Sequence, residues 1–280
     1  MRAFALPLLV LALDAFAAGA PRYMLRYEEG TRSMQVEACL DGAAARVRFT
    51  GDGSATRMLA GFARTSGAAL TRDGAAWVAR DWQAGECLRY SADLGAIAAA
   101  QPRHGIDARA GALVSDPASW LLEPDDAADA IVRVALPQGV ALSAPWVALD
   151  PDGSAARYRI PRTPDAWIGR IAIGRFDTHA LEVPGGTLRV ALLGQADAAQ
   201  TTRLLAWLGR VGDAATRAFG RLPVADVQVL VAPVGMQREA VAFGQSLRGQ
   251  GNGLTLFVDA AHPAAAFGQD WIAPHELSHL

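Results

Sequence analysis

Residues 197–219, DAAQTTRLLAWLGRVGDAATRAF, carry the first sustained helical period in the chain. Leu204, Leu205, Leu208, Val211, Ala215 and Phe219 fall near i, i+3, i+4 and i+7, and Gly220 follows as a stop. The spacing predicts an amphipathic helix of about six turns. What precedes it reads with a period of two, so the architecture is expected to change here. From Tyr23 to Leu193, alternating segments such as Ala45–Phe49, Ala130–Leu136 and Thr187–Leu192 sit between turn clusters: Gly51-Asp52-Gly53, Pro137-Gln138-Gly139 and Pro184-Gly185-Gly186. Short strands between such turns predict an all-β sandwich. Trp77, Trp82, Trp120, Trp146 and Trp167 fall within it and read as core or rim anchors before they read as a ligand-stacking surface.

After the helix come an apolar strand (Val227–Val231), a glycine-rich loop (Gly244–Gly253), a second apolar strand (Leu254–Val258) and a helical pattern from Asp270 to Leu280. The expected organisation is a signal peptide at 1–20, a β-sandwich domain at 21–194, and an α/β lobe at 195–280.

The chain has 280 residues, 51% hydrophobic and 19% charged, with net charge −2. This composition excludes disordered and polyanion-binding classes. The basic residues are all arginine, scattered and balanced by acids, so no nucleic-acid partner is expected. Met1-Arg2, the apolar run Ala3–Leu13 and the small residues Ala15–Ala20 make a secretory signal with cleavage near Ala17. The apolar run is too short to span a bilayer, so no stable membrane anchor is expected, and the protein reads as periplasmic or secreted. In an oxidising compartment Cys39 and Cys87, the only two cysteines, are expected to form a disulfide.

Residues 275–279 read His-Glu-Leu-Ser-His. On a helix, His275 and His279 lie one turn apart on one face and can ligate one zinc ion. Glu276, about 100° round the helix, is placed to act as general base toward a water that the metal activates. At this chain's His and Glu frequencies, the motif arises by chance roughly once in a few hundred such chains. Pro274 is compatible with a first helical turn. No G-x-S-x-G, P-loop, dinucleotide fingerprint or C-x-x-C competes with it.

HELSH, preceded by a helix, a strand, a glycine-rich loop and the strand LTLFV, resembles the gluzincin metallopeptidases, especially the alanyl- and glycyl-aminopeptidase families. The resemblance implies an N-terminal β-sandwich followed by the first part of a thermolysin-like α+β catalytic lobe. It also implies zinc as cofactor, peptide or protein substrates, His275 and His279 as ligands, and Glu276 as base. It makes Leu254–Val258 the strand along which substrate pairs, with Gly251, Asn252, Gly253 and Leu254 as substrate-binding residues. Gly249–Gly253 stands where alanyl aminopeptidases carry Gly-x-Met-Glu-Asn, but has no Glu to hold a substrate α-ammonium. Glu239 is the nearest upstream acid, and reads as a solvated charge beside Arg238. His262 reads as a loop histidine, and His104 and His179 carry no ligand spacing.

In the family, the third ligand is a Glu from a following helix. The sequence given stops at Leu280, so the expectation is the first portion of a longer enzyme, inactive alone. The alternative is a non-catalytic exported binding module with a degenerate peptidase lobe.

Overall fold

The computed structural model describes residues 20–51, 56–100, 111–125, 128–150 and 156–280. The predicted signal segment through residue 19, its cleavage site at Ala17, and His104 lie outside the described residues.

The first region runs β1 (Arg22–Glu28), β2 (Ser33–Cys39), β3 (Ala44–Thr50), β4 (Leu59–Arg64), β5 (Leu70–Asp73), β6 (Ala76–Trp82), β7 (Cys87–Asp93), α1 (Leu94–Ala100), β8 (Ala112–Ser115), β9 (Glu123–Pro124), β10 (Ala130–Ala135), β11 (Ala141–Ser143), β12 (Val147–Ala148), β13 (Arg157–Ile160) and β14 (Ile171–Gly174). Strict alternation decides which faces turn inward. Tyr23, Leu25 and Tyr27 of β1, and Met34, Val36 and Ala38 of β2, are buried, and the residues between them are not. They meet Phe49, Trp82, Trp120 and Trp146 in one core. Trp77 packs at its edge, stacked on Phe62, so four of the five tryptophans anchor packing. Trp167 is exposed.

The second region adds β15 (Asp177–Val183), β16 (Gly186–Leu192), α2 (Ala198–Phe219), β17 (Asp226–Pro233), β18 (Val241–Leu247), β19 (Gly253–Val258), α3 (Ala264–Phe267) and α4 (Ile272–Ser278). The capping box of Asp197 and Gln200 starts α2, and Gly220 ends it in the left-handed region, at φ 79°. The buried stripe Leu204, Trp207, Leu208, Val211, Ala215 covers Val227, Val229 and Val231 of β17. The alternate residues Leu230 and Ala232, with Ala191 and Phe257, pack on Ala112, Val114 and Ala172 of the first region. Helix on one face and sheet on the other explain why β17 and β19 read as near-continuous apolar runs, with Gln228 and Thr255 buried among them.

This architecture corrects the expected β-sandwich plus α/β thermolysin-like lobe. The described strands form four sheets, with orders β12-β13-β10-β1-β2-β7-β4, β11-β14-β8, β15-β16-β17-β19-β18 and β5-β6-β3-β9. Strands dominate over few helices, 44% against 19%. The expectation of two stacked sheets failed because β1 pairs in parallel with the distant β10, and β8, β11 and β14 make a sheet of their own. The α/β reading failed because two strands of the last sheet were counted elsewhere. β16 pairs in parallel with β17, so the expected division at 194/195 runs between strands of one sheet.

Candidate functional site

Helix α4 begins at Ile272, with Pro274 in its first turn, and ends at Ser278 with His279 as its cap. Asp270 fixes its start. Its Oδ1 accepts from the Ile272 amide (2.8 Å), and its Oδ2 from the Ala273 amide (3.2 Å) and the Trp207 indole (3.2 Å). Burial nevertheless outweighs these bonds and raises the Asp270 pKa. Ala273 and Leu277 enter the core beneath, and Leu280 packs at its margin. The opposite face therefore carries His275 and His279, both exposed, with Nε2 atoms 3.1 Å apart. Trp271 meets the His275 ring edge-on at 5.5 Å.

Glu276 lies half-buried between α4 and β18. Its Oε2 accepts from the Ser246 amide (3.0 Å) and hydroxyl (2.9 Å). Gly244 makes this approach possible. A Cβ there would stand 2.7 Å from both the Glu276 Cγ and the Ile272 Cγ2. Neither Gly244 nor Ser246 was singled out in the sequence. The signal lay in the glycine of an otherwise strand-like AVAFGQSL, read there as the start of a loop.

The open edge of the sheet is β18, not β19. Strand β19 has β17 on one side and β18 on the other, and all six of its residues are buried. Leu254–Val258 thus has no free edge for a substrate, which corrects the assignment of Leu254 to substrate pairing. Gly251, Asn252 and Gly253 do not line the groove beside α4 either. The Asn252 carbonyl accepts from the Gln228 amide, and a Cβ on Gly251 would collide with the Pro145 carbonyl. This loop is bound to the first region. Gln250 donates to Glu123 Oε1 (2.9 Å) and accepts from the Trp146 indole (3.1 Å), and its amide donates to Thr163 Oγ1 (3.0 Å). Burial raises the pKa of that Glu123.

Beside α4, an open groove of about 560 Å³ runs along β18, lined by Trp167, Ile168, Phe243, Arg248, Glu276 and His279 among others. Buried Arg170 donates to Oε1 of Gln245, which also lines the groove (3.1 Å), and burial lowers the Arg170 pKa to about 10. At the far end of β18, Glu239 and Asp270 border a separate cavity of about 310 Å³ with His262. His262 is held by the Gln237 carbonyl (3.0 Å) and Asp259 (3.6 Å), away from the His275–His279 pair.

The donor set at α4 fits zinc. Two nitrogens at zinc–nitrogen bond length, subtending a tetrahedral angle, lie about 3.3 Å apart, and the His275 and His279 nitrogens are 3.1 Å apart. Glu37, Cys39 and Cys87 are also close enough to share an ion. They do not fit one, because Cys39 and Cys87 are joined in a disulfide and offer no thiolate. Among the described residues, no helix is long and apolar enough to cross a membrane.

No family model and no curated protein matches the chain. Among solved structures, it is similar to an aminopeptidase N family protein from Idiomarina loihiensis, with a TM-score of 0.64 at 14% identity. The similarity covers 87% of this chain and 44% of that one, so the chain spans less than half the neighbour's length. At this identity the likeness is one of fold.

Proposed function

We propose that the chain belongs to an exported zinc peptidase of the gluzincin type, with His275 and His279 as ligands and Glu276 as general base. The observation that carries the reading is the convergence of the two imidazole nitrogens on the exposed face of α4, where His279 and Glu276 line a groove edged by a free strand. The shared fold with an aminopeptidase N family protein supports it. Zinc, when bound, supplies Lewis-acid polarisation of a peptide carbonyl and acidification of a water. Glu276 would serve as the proton acceptor for the attacking water and the proton donor to the leaving amine. The Ser246 amide and hydroxyl orient its carboxylate, and α4, clamped by Asp270 and Leu277, fixes both imidazoles. Strand β18 offers its outer edge to an extended peptide. The leader sequence and the disulfide support export.

The test is zinc content and peptide hydrolysis by the full-length protein against Glu276→Gln and His275→Ala. We expect zinc kept and hydrolysis lost in the first, and both lost in the second. Hydrolysis retained by Glu276→Gln removes Glu276 as base. A second reading, a non-catalytic peptide-binding module, is favoured by the apolar side chains that Trp167, Ile168 and Phe243 expose in the groove. It predicts no zinc and unaltered peptide binding in His275→Ala.

A further inference from the structure

We infer that the groove recognises internal stretches of peptide rather than a free amino terminus, and that it selects an apolar side chain next to an acidic one. The inference rests on the peptidase reading only in taking an extended peptide as the occupant.

Glu276 is the single carboxylate among the described residues lining the groove, and it already accepts two bonds from Ser246. Among the described residues no other acid lines the groove to hold an α-ammonium. A peptide added antiparallel to β18, the more stable pairing per residue, points its amino-terminal half toward Leu247 and Arg248. Glu239 lies at the opposite end of the strand, on the peptide's carboxyl side, where an α-ammonium does not fall.

The amino-terminal side is open and built from other chemistry. Trp167 and Ile168 come from the first region and are 45% and 46% exposed. Apolar surface kept at this exposure, on backbone fixed by the Gly249 amide donating to the Ile168 carbonyl, is suited to cover a substrate side chain. Arg248 extends over the Trp167 ring at 6.0 Å and has no ion pair among the described residues. A stacked guanidinium without an acid is a ready partner for a carboxylate. The first region is therefore part of the recognition surface.

The experiment measures binding, at saturating zinc, of short phosphinic pseudopeptides that are acetylated and amidated at their ends. One carries Phe before the phosphinate and Glu before that Phe; controls replace Glu by Arg, replace Phe by Gly, or free the amine of Phe. We expect the Glu-Phe probe to bind about fivefold more tightly than the Arg control and about tenfold more tightly than the Gly control. Arg248→Glu should invert the first preference and Trp167→Ala should remove the second. Zinc-dependent binding that favours the free amine, or ignores Arg248→Glu, overturns the inference and leaves the peptidase reading standing. If no probe binds in a zinc-dependent way, or His279→Ala binds as well as wild type, the peptidase reading falls instead. An all-amide blocked Glu-Phe peptide then decides the groove separately: binding inverted by Arg248→Glu supports the inference, and no binding overturns it.

Discussion

In the region before β15, arginines are met by acids. Arg64 is met by Glu86, Arg157 by Asp150, Arg159 by Asp129 and Arg175 by Glu29. Along β18 and α4 the chemistry is left facing outward. Arg248 lies over an indole, His275 faces His279, and Glu276 is held by a serine. The first pattern neutralises charge internally and so speaks of stability. The second positions its side chains without opposite charges to meet them, which contributes little to folding and speaks of recognition. Substitutions should then separate cleanly: changes in the first region show in the melting curve, changes along α4 in binding.

The largest stability effect is expected at the buried pair. Glu86 accepts from the Arg64 Nε and Nη2 (both 2.8 Å), from Ser66 and from the Gln83 amide (2.9 Å), with both side chains of the pair almost wholly buried. Glu86→Ala leaves Arg64 uncompensated and should cost about 3–5 kcal/mol in chemical denaturation. The Arg64 guanidinium, with Ser66 and Gln83, depresses the Glu86 pKa to about 2. A depressed carboxylate stabilises above its unfolded pKa, so this contribution should fade as pH drops from about 4.5 toward 2, and the acid-unfolding midpoint should rise in the variant.

Reduction of Cys39–Cys87, which closes a sequence separation of 48, should cost about 4 kcal/mol by chain entropy. A loss below about 1 kcal/mol would show that the β2–β7 ladder restrains the unfolded chain by itself. Gly244→Ala is expected to be intermediate, because it forces α4 off β18. It should cost about 1–3 kcal/mol and also weaken zinc binding, the one substitution to move both readouts. Asp197→Ala should cost about 1 kcal/mol through the lost cap. His275→Ala, exposed on α4, should change stability by less than about 0.5 kcal/mol while removing zinc. A large destabilisation there would break the comparison.

Local signals in the sequence were readable where the physics was local. Helix α2, with its stripe, Asp197 cap and Gly220 stop, and the convergence of residues one helical turn apart at 275 and 279, depend on neighbours only. Sheet membership depends on distant partners and was misread. Nothing in Thr187–Leu192 says that its neighbour is Val227 rather than a strand of the first region. The same limit moved the open edge from β19 to β18: one leads into the Gly249–Gly253 stretch and the other follows it, and only pairing tells which has a free side. Trp167 looked like one more tryptophan, because exposure is a property of the assembled surface.

At the crossing of Gly169 and Gly249, a Cβ on Gly169 would meet the Gly249 carbonyl oxygen at 2.6 Å, and Gln250 is bolted into Trp146, Glu123 and Thr163 just beyond. Bare backbone on bare backbone tolerates almost no variation in either party. A lineage carrying this joint could drift freely in its surface loops, yet could not shuffle its front half for another of the same shape. The substituted half would have to arrive with a glycine and a glutamine socket already in place. What looks like a modular protein is, at this seam, fitted together as one piece.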